Sequence, residues 1–247
     1  MIFDLDGTLV QTESLKAESY ARAAAQLRPG QVEPNAVIAA FDACVGRSRD
    51  EVAQTLLDRF DLAAPAAALE QDLRVSTPRD AFVALRMKIY EGMLSDRSLL
   101  ARLELPFATA LVRHLRADGY RTALTTVSHA AQAFIVLDAL RLRDQFDVIV
   151  TIDAVAHGKP DPEIYLLAVR RLALTPAQCV AVEDSVPGVQ AAVAAGIMCV
   201  ASTNDLTRTS VHAAAPLSGV LIVDDPSTLE SVVRSQLTKP EEARVWN

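Results

Sequence analysis

The chain has 247 residues, 51% of them hydrophobic and 22% charged, so it can bury a sizeable core and form one or two domains. That composition excludes a disordered segment, and no apolar run reaches the roughly 18 residues that would argue for a membrane helix. With 24 basic against 31 acidic residues the net charge is −7, which excludes an extended nucleic-acid footprint but not a small anionic substrate at a locally cationic site. The three cysteines, Cys44, Cys179 and Cys199, match no metal-ligand spacing and are expected as buried thiols in a reducing compartment. No signal-peptide pattern marks the first residues, so a cytoplasmic protein that does not engage a membrane is expected.

The first predicted element is a strand with almost no run-up, because Asp4 follows only Met1-Ile2-Phe3. Either that strand is unusually short or the chain as given begins late. From about residue 12 to 94 the apolar positions recur at helical spacing: Tyr20, Ala23, Ala24 and Leu27; Val37, Ile38 and Phe41; Val52, Leu56 and Leu57; Phe82, Leu85, Met87, Ile89 and Tyr90. Pro29-Gly30, Pro65 and Pro78 punctuate this stretch, which reads as an all-helical insertion. β-Branched, strand-like runs follow at 122–126, 148–152, 179–182, 197–201 and 220–223. Helical stretches lie among them at 108–117, 130–140, 163–172 and 189–195. Such alternation predicts βαβ units, and continuous apolar strands predict a parallel sheet covered on both faces. Gly119, Gly158 and Gly196 sit where helix C-caps are expected. The predicted fold class is α/β: a Rossmann-like doubly wound parallel-sheet core over 1–13 and 95–247, with an inserted all-helical domain over 14–94. The end, 239–247, is polar, holds Pro240 and is expected to be a loose tail.

Four predicted strand ends carry chemistry. Asp4-Leu5-Asp6-Gly7-Thr8-Leu9 closes the first strand, and alternation puts Asp4 and Asp6 on one side of an extended segment. In open α/β sheets ligands bind at that end, where two carboxylates can divide nucleophilic, metal-binding and acid–base work. Thr125-Thr126 ends the next strand and Val127-Ser128 turns into a helix, so a hydroxyl meets fresh helix N–H groups in a phosphate-binding corner or, more simply, a helix cap. Lys159 stands in the stiff loop Gly158-Lys159-Pro160-Asp161-Pro162, which suits a fixed positive charge. Glu183-Asp184-Ser185 follows another strand, offering the carboxylate oxygens that Mg²⁺ requires, before Pro187-Gly188-Val189 opens a helix.

As an ordered set, these blocks resemble the haloacid dehalogenase-like superfamily of phosphohydrolases, in the helical-cap branch that includes beta-phosphoglucomutase and phosphoglycolate phosphatase. The resemblance runs through Phe3 to Leu9, Leu124 to Ser128, Gly158 to Pro162 and Val182 to Gly196, essentially the whole chain. It implies that Asp4 attacks phosphorus and becomes an aspartyl-phosphate, while Asp6 protonates the leaving oxygen and then activates water. Thr126 and Lys159 would hold the phosphoryl oxygens, with Thr125 as the alternative hydroxyl and Val127 and Ser128 beside the substrate. Asp4, the Asp6 carbonyl and Asp184 would bind Mg²⁺, supported by Glu183. The resemblance also implies a cap loop at Gly46-Arg47-Ser48, in which Arg47 meets a second polar group of the substrate, with Arg49 beside it and Arg86 facing substrate. Surface arginines are the plain alternative, and His129 reads as a surface residue near a helix start.

The function implied is a Mg²⁺-dependent phosphatase acting on a small phosphorylated metabolite, a sugar phosphate or phospho-acid, in a monomer or small homo-oligomer. A beta-phosphoglucomutase-like mutase is the alternative. Gln11 replaces a common acidic residue and Lys16 replaces a mutase histidine, which weakens that alternative. A carbon–halogen hydrolase would need neither Asp6 nor Asp184. A phosphonate hydrolase would need a cap lysine, for which Lys16 and Lys88 are the candidates. A non-catalytic binding protein fits least, since Asp4, Asp6, Lys159 and Asp184 are all present.

Overall fold

The computed structural model describes residues 1–44, 48–214 and 219–237, in two compact units: Met1–Gln11 with Arg97–Asn247, and Thr12–Asp96. The first unit holds a parallel sheet of β1 (Ile2–Phe3), β2 (Ala123–Thr126), β3 (Val148–Thr151), β4 (Val180–Glu183), β5 (Met198–Ser202) and β6 (Val220–Val223), in the order β3-β2-β1-β4-β5-β6. The chain order reverses around β1, the arrangement of a Rossmann-like doubly wound sheet, which opens a crevice at the strands' carboxyl ends. β1 is central although it is two residues long: Ile2 lies against Ala123 and Ala181, and Phe3 against Leu124 and Val182. Its ladder runs beyond those two residues. The Ala123 N–H donates to the Met1 carbonyl at 2.8 Å, and the Asp4 N–H to the Val182 carbonyl at 3.0 Å. Asp4 is therefore fixed by sheet hydrogen bonds at the carboxyl end of the middle strand.

Strand edges differ from the expected ones by a single residue. Glu183 and Ser202 extend β4 and β5 past the apolar runs, because sheet pairing continues through them: Glu183 opposite Ala201, and Ser202 opposite Val223.

After Asp6 the chain turns sharply, with the Gly7 N–H donating to the Val10 carbonyl at 2.8 Å. The outgoing strand segment then meets the returning one. Leu105 donates to the Leu9 carbonyl at 2.9 Å, and Gln11 to the Leu103 carbonyl at 2.8 Å. The two ends of the helical segment are thus tied together within the sheet unit, so an insertion of that length leaves the sheet intact.

The helical unit contains α1 (Glu13–Leu27), α2 (Pro34–Asp42), α3 (Arg49–Arg59), α4 (Ala63–Ala67), α5 (Glu70–Leu73) and α6 (Pro78–Leu94). Prolines open α2 and α6, where no N–H partner is lost. The Thr77 hydroxyl caps α6, and Ser48 and Glu51 form a capping box on α3. The core centres on Tyr20, whose ring lies 5.6 Å from both Phe41 and Phe82.

In the sheet unit the remaining helices are α7 (Arg97–Arg102), α8 (Pro106–Ala117), α9 (Ala130–Ala139), α10 (Glu163–Arg171), α11 (Val186–Ala194), α12 (Arg208–Ala214) and α13 (Leu229–Leu237). Ile2, Ala123, Val150, Ala181 and Cys199 form one core cluster with Ile164 and Tyr165 of α10 and Val189 of α11. Phe3, Leu124, Val182 and Val200 alternate with them, are equally buried and turn to the other face, where α13 packs on β4, β5 and α8. All three cysteines are buried free thiols, as expected. Gly119 and Gly196 follow helices, whereas Gly158 lies in the loop ahead of α10, which corrects its expected capping role. Among the described residues no helix is long and apolar enough to cross a membrane. The expected tail at 239–247 lies outside the described residues.

Candidate active site

Four strand ends of the sheet unit converge on Asp4, which is 6% exposed. From the loop after β3, Lys159 Nζ donates to Asp4 Oδ1 at 2.6 Å, to Glu183 Oε1 at 2.5 Å and to the Thr125 carbonyl at 3.1 Å. This ammonium stands 5.2 Å above the Tyr165 ring, and the Tyr165 hydroxyl donates to Glu183 Oε1 at 2.6 Å. The second oxygen of Glu183, Oε2, accepts from the Asp184 N–H at 3.3 Å and the Ser185 hydroxyl at 3.4 Å. Next to it, Asp184 Oδ2 accepts from Asn204 Nδ2 at 2.9 Å.

The electrostatics follow from burial. Asp4, Glu183 and Asp184 offer carboxylate oxygens within 4.8 Å of one another, and all three residues are buried. Burial pushes the Asp4 carboxyl up from its ordinary value, and Glu183 and Asp6 reinforce this, against the pull of Lys159. Burial also works against the Lys159 ammonium, but Asp4 and Glu183 outweigh it and hold the lysine charged. Burial raises the Tyr165 phenol well above its usual range, with Glu183 adding to the shift. One ammonium thus faces three buried carboxylates, and burying that excess negative charge is costly without a further cation. Hard oxygen donors crowded this closely fit a divalent metal ion.

Asp6 follows two residues after Asp4 and makes its own hydrogen bonds. Its Oδ2 accepts from the Ser128 hydroxyl at 2.6 Å and, more weakly, from the Thr126 hydroxyl at 3.5 Å. Thr126 Oγ1 in turn accepts from the Ser128 N–H at 3.0 Å, ahead of α9. The two threonines therefore play opposite parts. Thr126 turns its hydroxyl towards Asp6 and Ser128, while Thr125 presents its carbonyl to Lys159 and its buried hydroxyl has no hydrogen-bond partner among the described residues. Val127, between them and α9, is 43% exposed.

The close approach of backbone to carboxylate explains two glycines. A Cβ on Gly7 would stand 2.2 Å from Asp184 Oδ2, and its φ of +87° is itself a conformation that favours glycine. A Cβ on Gly188 would stand 2.0 Å from Glu183 Oε2.

The structure joins Asp4, Lys159, Glu183 and Asp184 by hydrogen bonds and close carboxylates, and Asp6, Thr126 and Ser128 in a second hydrogen-bonded group whose Asp6 is near enough to act on the Asp4 charge. His129 instead pairs with Asp153 at 2.6 Å on the surface. Of the residues expected in the cap loop, Gly46 and Arg47 lie outside the described residues, and the Ser48 hydroxyl caps α3. Arg86 corrects the surface reading: it is 4% exposed inside the helical unit. Its guanidinium lies 4.8 Å from the Tyr20 ring and 4.6 Å from the Tyr90 ring, and its Nε donates to Ser19 at 2.8 Å. Tyr165 and Asn204 belong to the site but escaped the sequence reading. Tyr165 passes for an ordinary apolar position of α10, and the signal for Asn204 is a polar residue just beyond the carboxyl end of β5.

A family model for haloacid dehalogenase-like hydrolase matches residues 1–196. The chain is 30% identical to a phosphorylated carbohydrates phosphatase of Thermotoga maritima over 197 residues, 80% of this chain and 81% of the relative. It is 31% identical to the fructose-1-phosphate phosphatase YqaB of Escherichia coli over 199 residues, 80% of this chain and 92% of the relative. Among solved structures, CbbY from Rhodobacter sphaeroides in complex with phosphate superposes with a TM-score of 0.65 at 25% identity, covering 92% of this chain and 94% of that one. A beta-phosphoglucomutase from Clostridium difficile, 20% identical, shares the fold with a TM-score of 0.69 over 95% of this chain and 94% of that one. The chain belongs to the haloacid dehalogenase-like hydrolase family.

Proposed function

We propose that this protein is a Mg²⁺-dependent phosphatase of small phosphomonoesters, sugar phosphates foremost, working through an aspartyl-phosphate on Asp4. The observation that carries the reading is the buried Asp4, fixed at the end of the central strand, bonded to Lys159 at 2.6 Å and crowded by Glu183 and Asp184. The relatives named for phosphorylated carbohydrates and fructose 1-phosphate support the substrate class.

In this mechanism a carboxylate oxygen of Asp4 attacks phosphorus as the P–O bond to the alcohol breaks, and Asp6 gives its proton to the departing oxygen. Water then attacks the aspartyl-phosphate and returns a proton to Asp6, the bond between phosphorus and the Asp4 oxygen breaks, and inorganic phosphate leaves. Lys159 orients Asp4 and offers positive charge to the transferring group, while Ser128 and Thr126 hold Asp6 and frame the phosphate corner. The Asp4 carboxylate, the Asp6 carbonyl and Asp184 would hold Mg²⁺, with Glu183 in support, and the ion supplies counter-charge for the phosphoryl oxygens when bound. The helical unit, Thr12–Asp96, is assigned the selectivity, with Gly46, Arg47 and Ser48 as its candidate substrate-reading loop.

A panel of phosphate esters with Mg²⁺, read as released phosphate, tests the reading. Turnover of sugar monophosphates is expected, and no release from any of them contradicts it. The mutase alternative keeps the support of the beta-phosphoglucomutase fold likeness. Phosphate release without interconversion of hexose phosphate isomers removes it.

A further inference from the structure

We propose that Asn204 is a positioning residue for the cation site, its carboxamide clamping Asp184 to the turn that follows β1. The inference rests on the proposed Mg²⁺-dependent reading. Asn204 lies just after β5, in a segment anchored upstream by the Thr203 N–H on the Val223 carbonyl at 2.9 Å and the Thr203 hydroxyl on Asp224 at 2.6 Å. Its side-chain oxygen accepts from the N–H groups of Leu206 at 2.9 Å and Thr207 at 3.2 Å. Two backbone donors on Oδ1 settle the orientation of the amide, so the NH₂ group must face the other way.

That group donates to Asp184 Oδ2 at 2.9 Å and lies 3.3 Å from the Gly7 carbonyl, two acceptors on different strand ends. Gly7 closes on the same Asp184 oxygen, where a Cβ would stand 2.2 Å away. Asp184 Oδ2 is therefore held between a backbone with no side chain and a carboxamide with one permitted orientation. Tying one oxygen fixes the carboxylate plane, and so the direction in which Asp184 meets a metal. Partners of this kind, one shell outside the ligands, commonly set metal affinity by about 10- to 100-fold.

The test titrates Mg²⁺ alone into the full-length, metal-free protein by calorimetry, for the parent, Asn204→Ala, Asn204→Ser and Thr207→Ala. Serine keeps a hydroxyl acceptor for the turn but is too short to reach Asp184, so this variant guards against a loop that fails to form. Thr207→Ala removes the hydroxyl that accepts the Asn204 N–H at 3.2 Å and loosens the loop while sparing the carboxamide. Both Asn204 variants are expected to bind Mg²⁺ about tenfold more weakly. Their kcat should recover at saturating Mg²⁺, and Thr207→Ala should melt earlier with its Mg²⁺ affinity unchanged. Parent-like Mg²⁺ affinity in Asn204→Ser overturns the proposal, as does an equal loss of affinity in Thr207→Ala. A parent that binds no Mg²⁺ instead overturns the metal-dependent reading on which the proposal stands.

Discussion

Gly188 opens the first turn of α11 with no side chain because the Glu183 carboxylate fills the space a Cβ would take, with its three atoms 2.0 to 2.2 Å away. Gly188→Ala must therefore push Glu183 off Lys159 and Tyr165, and overpacking of this kind costs ~1–3 kcal/mol. Urea unfolding should show that loss and phosphate release should fall sharply, whereas a parent-like variant would mean that Glu183 has another place to go. Tyr165→Phe isolates a single bond, since it removes a donor from a buried carboxylate without changing shape. A loss of about 1.5–3 kcal/mol is expected in the same measurement, and no loss would mean that the hydroxyl adds nothing to the cluster. At this scale sequence reasoning reached the charged residues and the Thr126–Ser128 corner that bonds Asp6, and missed the neutral partners of Glu183 and Asp184. Asp4, Asp6 and Asp184 stand out as polar groups at the ends of apolar strands, and Lys159 as a lone cation in a proline-stiffened loop. Tyr165 hides among the apolar positions of α10, and Asn204 looks like any loop asparagine. For Arg86, expected to face substrate with a surface arginine as the plain alternative, the surface alternative fails, because two tyrosine rings and Ser19 accommodate its guanidinium in the interior.

Strands were legible because both faces of the sheet are covered, which turns each strand into an unbroken apolar run, and their ends blurred where pairing continued through Glu183 and Ser202. β1 was recognisable by its acidic ending rather than its length, since two paired residues carry too little pattern to stand alone. The start of β2 depends on a carboxylate. Asp147 accepts from the Thr122 N–H at 2.9 Å and from Arg116 at 2.5 Å. Its partial burial works to raise the carboxyl, but these two donors outweigh it and hold the group below its ordinary value. A carboxyl lowered in the folded state contributes stability above its unfolded value, and that contribution is lost as pH falls through the folded value. Asp147→Ala is expected to cost ~1 kcal/mol at neutral pH. The difference from the parent should narrow as pH drops below about 4. A pH-independent gap in urea unfolding would mean that the charge on Asp147 does not contribute.

The net charge of the whole molecule is −7, and at the site three buried carboxylates stand against one lysine. A bound divalent cation should therefore stabilise the fold. At about 100 times its dissociation constant a ligand contributes roughly 2.7 kcal/mol, which for a chain of this size is a rise in Tm of about 5–10 °C. Thermal melts with Mg²⁺ and with a chelator should separate accordingly, and identical melts would argue against a cation at this cluster. The division into a sheet unit and a helical unit was visible as a change from β-branched runs to helical spacing. What the helical unit recognises was not visible, because selectivity depends on side-chain shape rather than on periodicity. The most direct test of the central claim is phosphate release from a sugar monophosphate in Mg²⁺ by the parent and by Asp4→Asn, with circular dichroism confirming that both are folded. Turnover by the parent and a loss of at least ~10³-fold in the variant are predicted. Parent-like release by a folded Asp4→Asn would show that Asp4 is not the nucleophile.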